Sequence, residues 1–183
     1  LGDVLVGTAL ADVSDDALVA SVNGSAARVS GTVRFAYDID GADLLVVAAG
    51  PVVVLVAAHQ PGVGATPLAA ISNDRLFELH LDSVEGQVIG NTSELLAPAV
   101  ARATALRSVE LVGVMERALE MAADYARTRV QFGKPLGSFQ AVQHRLADML
   151  LDLEGARLVA YRAVWALTQD RDAQREASIA KAW

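Results

Sequence analysis

The chain has 183 residues, 53% of them hydrophobic and 20% charged, which allows a packed core and excludes the composition of a disordered chain. Its formal net charge of -7 provides no general attraction for nucleic-acid phosphates or anionic membranes, so neither partner is expected. The absence of cysteine excludes disulfides, thiolate catalysis and cysteine-based zinc sites, and we expect a cytoplasmic location.

The apolar and histidine patterns predict neither a membrane span nor a metal site. The longest apolar stretch, Leu44 to Ala58, is broken by a Gly-Pro pair and falls short of the ~20 residues that span a bilayer. The three histidines are too widely spaced to share a metal ion: His59, His80 and His144.

The first half of the chain has the short alternating patterns of β-strands. Leu44–Ala49 and Val52–Ala58 are β-branched apolar runs separated by a Gly-Pro turn signal, which predicts two adjacent strands. From Phe77 to Leu81 apolar and polar residues alternate, as in a strand with one buried and one solvent-exposed face. We therefore predict an antiparallel β-domain over residues 1–90.

The period changes to that of helices in residues 91–183. Apolar residues recur at helical spacing from about Ala99 to Gln131, without a proline, and predict a first helix. Ser138 is predicted as the N-cap of a second helix, and a third is expected to begin near Ala173. The second helix carries an apolar stripe: Val142, Leu146, Met149, Leu150 and Leu153.

The two halves together predict the α+β class, with an antiparallel β-domain followed by an incomplete antiparallel helical bundle. The chain begins at Leu1 rather than Met, and it ends at Trp183 within the third predicted helix, whose apolar side would stay unburied. We therefore expect the chain to be part of a longer protein.

The segment between the first two predicted helices combines cationic and amide side chains. Arg129 and Gln131 lie at the end of the first helix. Gln140 lies in the first turn of the second, where free backbone N–H groups and the helix dipole favour an anion. Because arginine can bind phosphate oxygens through two parallel hydrogen bonds, this set would suit a diphosphate. Alternatively, Arg127 and Arg129 only complement the dipole at the end of their helix and remain solvated.

The segment from Tyr125 to Gln140 carries a recognisable signature. It reads Y-A-R-T-R-V-Q-F-G-K-P-L-G-S-F-Q and resembles the motif Y-A-x-x-R-x-Q-F-G-x-x-x-x-x-F-Q, which opens the C-terminal helical domain of acyl-CoA dehydrogenases. The similarity continues from Leu146 to Met149. Upstream, Val29–Phe35 and Gly41–Ala48 resemble parts of the β-domain of the same family, so the resemblance covers most of the chain.

The resemblance implies that FAD is the cofactor, bound between the β-domain of one subunit and the C-terminal helices of a neighbour. It implies six cofactor-binding residues in this chain, with Arg129 on the diphosphate and Phe35 beside the isoalloxazine ring. The complete set is Arg129, Gln131, Phe139, Gln140, Phe35 and Tyr37.

Phe35 has two interpretations. Gly31–Tyr37 has the character of a strand, with Val33 and Phe35 on one side, and this pattern alone makes Phe35 an inward-facing core residue. The resemblance implies instead that Phe35 lies against the flavin ring, with Tyr37 near a hydroxyl contact to the flavin. The sequence leaves both interpretations open.

No catalytic residue is predicted in the chain. The resemblance implies a glutamate base either early in the first helix or beyond Trp183, and the early window, Ala101 to Thr104, contains neither a carboxylate nor the family's substrate-contacting Asp and Arg. Glu94 and Glu110 are the nearest carboxylates, and both have the character of solvated helix-face charges. The loop that wraps the flavin in the family matches Ala9–Asp16, which is shortened and lacks glycines.

The expected function is FAD-dependent α,β-dehydrogenation of an acyl-CoA thioester, an oxidoreductase activity of fatty acid or lipid metabolism. The implied partners are acyl-CoA, an electron-transferring flavoprotein-like acceptor, and a second subunit in a homo- or hetero-oligomer. Residues 1–183 alone are expected to be inactive. Two alternatives remain: a non-catalytic partner subunit of a heteromeric acyl-CoA dehydrogenase, and a DNA-associated family member, which the net charge of -7 disfavours.

Overall fold

The computed structural model describes residues 4–10, 18–71, 74–169 and 173–183. It divides the chain into two compact units, Leu1–Leu96 and Ala97–Trp183. The first unit is built mainly of strands and the second mainly of helices. The predicted α+β class is therefore confirmed.

The strands in the described part of the first unit form one seven-stranded sheet: β1 Val6–Ala9, β2 Leu18–Asn23, β3 Ala26–Tyr37, β4 Leu44–Ala49, β5 Val52–Ala57, β6 Val63–Pro67 and β7 Leu76–Asn91. Their order is β2-β3-β1-β4-β5-β7-β6, and an additional pairing between β3 and β7 closes the sheet on itself. β1 runs parallel to β4, and the other pairings are antiparallel. The two strands predicted from β-branched runs are confirmed as β4 and β5, which pair along their whole length.

Alternating residues of these strands form the core of the first unit. Phe77, Leu79 and Leu81 of β7 are buried, as their spacing predicts, while the residues between them face outward. Val29 of β3 and Val47 of β4 are fully buried in the same cluster. Burial of a large apolar side chain contributes roughly 1.5–3 kcal/mol, so this alternation is the main source of stability for the sheet.

A β-bulge in β3 changes which residues face the core. The register between β3 and β7 shifts between Val33 and Ala36, both of which are buried, and Phe35 has a positive φ of 63°. The extra residue breaks the strict alternation of the strand, so Phe35 is turned outward and is 49% exposed. The prediction that Val33 and Phe35 share one side was wrong, and so was the interpretation of Phe35 as a core residue.

The first helix, α1 (Thr92–Thr128), begins before the predicted start at Ala99 and contains Pro98. Its start is fixed by Thr92, whose hydroxyl donates a hydrogen bond to the carbonyl oxygen of Gly50 at 2.8 Å. Pro98 lacks an N–H and removes one helical hydrogen bond, but it does not end the helix. The predicted start was wrong because a contact with a turn far away in the sequence decides it.

Two further helices follow, α2 (Gln140–Thr168) and α3 (Ala173–Ala182), and α3 begins where the sequence predicts. Ser138 is not the N-cap of α2, contrary to the prediction; Phe139 occupies that position. Ser138 lies in a short 3-10 turn, and its hydroxyl donates a hydrogen bond to the carbonyl oxygen of Pro135 at 2.7 Å. The 3-10 turn delays the start of the helix by one residue and uses the hydroxyl that would have capped it.

Small residues allow the three helices of the second unit to pack closely. One cluster joins Ala101 and Ala105 of α1 to Ala163 of α2 and Ala177 of α3. A second cluster joins α1 to α2: Val112, Leu153, Ala156 and Ala160. Among the described residues, no helix is both long and apolar enough to cross a membrane.

The predicted apolar stripe of α2 is buried only in part. Leu153 is in the core, and Val142 and Leu146 are half-buried. Met149 and Leu150 are 37% and 49% exposed. Spacing therefore identified the apolar side of the helix but not how much of it the described residues cover.

Candidate functional site

A tight hairpin connects α1 to α2. Its strands are β8 (Val130–Gln131) and β9 (Lys134–Pro135), and Phe132 and Gly133 form the turn between them. Both turn residues have positive φ, 52° for Phe132 and 78° for Gly133, as a two-residue type I′ hairpin turn requires. Glycine adopts this backbone without strain, whereas a phenylalanine in it is uncommon.

Two aromatic rings and a lysine lie together on this hairpin. The rings of Phe132 and Phe139 meet edge to face, with centroids 6.3 Å apart and planes at 81°. The ammonium Nζ of Lys134 lies 4.4 Å from the centroid of the Phe139 ring. The ring of Phe139 thus contacts both Phe132 and Lys134, while Phe132 remains 92% exposed.

The two arginines at the end of α1 have different surroundings. Arg127 donates a hydrogen bond to Asp124 at 2.8 Å, so its charge has a carboxylate partner in the last turn of the helix. Arg129 is exposed, and its side chain has no hydrogen-bond or ion-pair partner among the described residues. Its backbone is held in place, because the carbonyl oxygen of Arg129 accepts a hydrogen bond from the N–H of Leu136 at 2.8 Å.

The first turn of α2 follows directly after the hairpin. Phe139 is the N-cap, and none of the described side chains forms a capping hydrogen bond there. The Phe139 carbonyl oxygen accepts hydrogen bonds from the N–H groups of Val142 and Gln143 at 3.0 and 3.1 Å. Gln140, the first residue of the helix, is exposed beside this turn. The structure thus brings Arg129, Gln131, Phe139 and Gln140 onto one hairpin and the helix start that follows it.

The charge pattern of this segment can be read from the sequence, although it is not part of the family motif. From Tyr125 to Ala147 there is no aspartate or glutamate, although the whole chain carries a net charge of -7. The same stretch contains four basic residues: Arg127, Arg129, Lys134 and Arg145. A carboxylate-free basic stretch in an acidic protein is a signal for an anion site that could have been recognised from the sequence.

The other two predicted cofactor residues lie on β3 in the first unit. Phe35 is exposed at the bulge, and the guanidinium of Arg34 lies 5.4 Å from the centroid of its ring. Tyr37 is 44% exposed at the end of the strand, where it pairs with Thr8 of β1. Phe35 and Tyr37 therefore both present aromatic surface to the outside of the sheet.

A salt bridge connects the turn that follows Tyr37 to a residue distant in the sequence. The side chains of Asp40 and Arg75 form a salt bridge, and the N–H of Asp38 donates a hydrogen bond to the Arg75 carbonyl oxygen at 3.0 Å. Asp38 itself has a positive φ of 49°. The hydrogen bond from Arg75, with the positive charge of that side chain, lowers the pKa of the Asp40 carboxyl below its usual value.

Residues 99–183 match the family model described as acyl-CoA dehydrogenase, C-terminal domain. Acyl-CoA dehydrogenase FadE27 of Mycobacterium tuberculosis is 41% identical to the chain over 130 residues, which are 69% of this chain and 35% of that protein. The chain belongs to the acyl-CoA dehydrogenase family.

Solved structures of acyl-CoA dehydrogenases match the chain over nearly its whole length. The ChsE4-ChsE5 complex from Mycobacterium tuberculosis matches 98% of this chain and 51% of that chain, with a TM-score of 0.88 and 35% identity. The Tcur3481-Tcur3483 steroid ACAD variant matches 96% of this chain and 51% of that chain, with a TM-score of 0.87 and 34% identity. The chain therefore spans about half the length of these two solved chains, and less of FadE27.

In the window from Ala101 to Thr104, position 101 is the one that is fully buried among the described residues. Ala101 is 5% exposed and packs in the alanine cluster of the three helices. Arg102 and Ala103 are exposed, and Thr104 is half-buried. A carboxylate at position 101 would therefore be buried without a partner, which is strongly unfavourable.

The nearest carboxylates do not have the surroundings of a catalytic base. Glu94 is exposed in the first turn of α1. Glu110 is exposed and accepts a hydrogen bond from Arg107 at 2.6 Å. The segment Ala9–Asp16 matches the loop that wraps the flavin in acyl-CoA dehydrogenases. Residues 11–16 of this segment lie outside the described residues. In the part of the chain that is described, no three histidine, aspartate or glutamate side chains are grouped to hold a metal ion.

Proposed function

We propose that this chain holds FAD in an acyl-CoA dehydrogenase, with Arg129 in contact with the diphosphate. The observation that carries the proposal is that Arg129 lies within the family signature, is exposed, and has no carboxylate partner among the described residues. The proposed contacts to the FAD of a neighbouring subunit are Arg129, Gln131, Phe139 and Gln140 on the hairpin segment, and those to the FAD on the chain's own β-domain are Phe35 and Tyr37 on β3.

The donor chemistry of the hairpin segment fits a diphosphate. A guanidinium can bind two phosphate oxygens at once, and Arg129 has no ion pair with the described residues to break before it does so. The side-chain amides of Gln131 and Gln140 are neutral donors on the same segment. The positive end of the α2 dipole adds a favourable field for negative charge.

The reaction that we propose for the whole protein is α,β-dehydrogenation of an acyl-CoA thioester. When bound, FAD supplies the acceptor for the hydride that leaves the β-carbon. The α-proton passes to a carboxylate base, which the window from Ala101 to Thr104 does not contain. We propose that residues 1–183 bind and orient the cofactor but are inactive alone. An electron-transferring flavoprotein-like acceptor and a cytoplasmic location are parts of the same proposal.

The burial of Ala101 favours a second candidate function, that of a non-catalytic partner subunit. Position 101, which the resemblance matches to a substrate-contacting aspartate, lies in an alanine cluster, so a carboxylate has no room at that position. Two of the similar structures are named as pairs, ChsE4-ChsE5 and Tcur3481-Tcur3483. In a hetero-oligomer of this kind, the chain would complete the FAD site of an active homologue through Arg129.

The test measures cofactor retention and catalysis separately on the full-length protein, alone and with a candidate homologous subunit. Retention is read from flavin absorbance after desalting, and catalysis from acyl-CoA-dependent reduction of an artificial electron acceptor. Retained FAD and activity in the protein alone would support the enzyme. FAD and activity that appear only with the partner would support the partner subunit. Absence of FAD in both samples would overturn both proposals.

A further inference from the structure

Lys134 lies against the ring of the residue that precedes helix α2. Its ammonium lies 4.4 Å from the ring centroid of Phe139, which is the N-cap of the 29-residue helix α2. The dipole of α2 gives this end of the helix a partial positive charge. No side chain in the described part of the chain caps the first turn, and the sequence from Tyr125 to Ala147 contains no carboxylate that could offset the charge.

Lys134 and Arg129 are two cations on one short hairpin, and neither has a carboxylate partner among the described residues. The side chain of Lys134, like that of Arg129, forms no ion pair with those residues. Its contact with Phe139 does not neutralise the charge of the ammonium. Lys134 pairs across the hairpin with Gln131, and the hydrogen bond from Leu136 to Arg129 closes the hairpin at its base. An anion that binds to this segment would have two cations with which to pair.

We infer that Lys134 is a second cationic contact for the diphosphate of FAD and acts beside Arg129. The inference rests on the proposed function, in which FAD binds to this segment. A diphosphate bridge carries a negative charge on each phosphate, so Arg129 alone leaves one charge uncompensated. The ammonium of Lys134 is a compact charge with three donors and suits the second phosphate.

The two lysines of the chain allow a direct footprint of this contact. Lys134 and Lys181 are the only lysines in residues 1–183, and Lys181 is exposed on α3. The full-length protein is acylated with an amine-reactive reagent, with and without FAD, and the modified peptides are quantified by mass spectrometry. We expect FAD to reduce labelling of Lys134 severalfold and to leave Lys181 unchanged. Equal labelling of Lys134 in both samples would overturn the inference.

Variants of Lys134 separate the role of its charge from that of its packing. We expect Lys134→Met to raise the Kd for FAD about tenfold, as the loss of one charged hydrogen bond does, and to flatten the dependence of that Kd on salt. Lys134→Arg should keep most of the affinity, and Lys181→Met should match the wild type. Weaker binding by Lys134→Met with an unchanged salt dependence would show that only hairpin packing was lost, which overturns the inference.

The failure of the inference and the failure of the proposed function give different results. A wild-type protein that retains no FAD, alone or with its partner subunit, would overturn the proposed function and the role of Lys134 with it. The role of Lys134 alone would be overturned by a different set of results. In that set the wild-type protein retains FAD, the Arg129→Ala variant loses it, and the Lys134→Met variant binds it as the wild type does.

Discussion

The guanidinium of Arg127 lies 2.8 Å from a carboxylate oxygen of Asp124, one turn earlier on the same helix. Both side chains are largely exposed, so the pair contributes little to stability. It nevertheless gives Arg127 a partner that Arg129, two residues later, does not have among the described residues. Arg127 is therefore a matched control for the proposed diphosphate contact.

Arg129→Ala is expected to weaken the binding of FAD. A hydrogen bond to a charged group is worth about 1.5–3 kcal/mol, so the variant should bind FAD about tenfold to hundredfold more weakly. Arg129→Lys should recover only part of the affinity, because an ammonium keeps the positive charge but lacks the planar guanidinium group that binds two phosphate oxygens at once. The measurement is flavin absorbance of the full-length protein, with its partner if it has one, after desalting.

The control for this prediction is Arg127→Ala, which removes an equal charge from the neighbouring turn. We expect this variant to retain FAD as the wild type does, because Asp124 already neutralises Arg127. If both variants and the wild type retained the same amount of FAD, then the two arginines would only complement the helix end. The diphosphate contact would then have to be abandoned.

Two glycine substitutions should change stability in opposite directions. A Cβ atom at Gly86 in β7 would lie 2.5 Å from Cγ1 of Val54 and 2.7 Å from the carbonyl oxygen of Leu55, so Gly86→Ala should cost about 1–3 kcal/mol. A Cβ atom at Gly113 in α1 would meet no described atom within 4 Å, and Gly113→Ala should stabilise the helix by about 0.5–1 kcal/mol.

Urea denaturation followed by circular dichroism measures both changes. Gly86→Ala should lower the urea concentration at the midpoint of unfolding, and Gly113→Ala should raise it. A Gly86→Ala variant as stable as the wild type would show that β5 and β7 do not approach as closely as described. A destabilised Gly113→Ala variant would show that this face of α1 is covered in the intact protein.

The sequence identifies the strands well where the pattern is local. The β-branched runs that form β4 and β5 are separated by Gly50 and Pro51, and both strands are where these residues predict them. Phe35 was misplaced because a bulge adds one residue to β3 and shifts the alternation, and this depends on the pairing with β7. The start of α1 was misplaced because it depends on a hydrogen bond from Thr92 to the distant Gly50.

The candidate site was predictable to the extent that it follows a continuous motif. The signature alone locates Arg129 and Gln140, because its residues are neighbours along the chain. The difference between Arg127 and Arg129 was not predictable, since it depends on side-chain geometry around Asp124. Lys134 was not predicted as a site residue because its position relative to the ring of Phe139 depends on the folded hairpin.

Ala101→Asp tests whether a carboxylate fits at position 101 of α1. Ala101 is 5% exposed within an alanine cluster, so a carboxylate there would be buried without a partner. We expect a loss of stability of about 3–5 kcal/mol, comparable to an uncompensated buried charge. Ala103→Asp is the control, because Ala103 is exposed and the change should cost only about 0.7 kcal/mol of helix propensity. Thermal unfolding of the two variants side by side gives the comparison, and equal melting temperatures would contradict the tight packing of the three helices.

The salt bridge between Asp40 and Arg75 gives a prediction about pH. The hydrogen bond and charge of Arg75 lower the pKa of the Asp40 carboxyl in the folded protein, so the unfolded state binds a proton there more readily. The stabilisation is therefore present above the usual pKa of an aspartate and is lost as the pH falls through the lowered value.

Arg75→Ala should return the pKa of Asp40 toward its ordinary value, and Arg75→Lys should do so only in part. A carboxyl-detected NMR titration measures the shift, with Arg34→Ala as the control, since Arg34 pairs with Glu78. An Asp40 titration that does not move in Arg75→Ala would mean that another group holds this carboxylate.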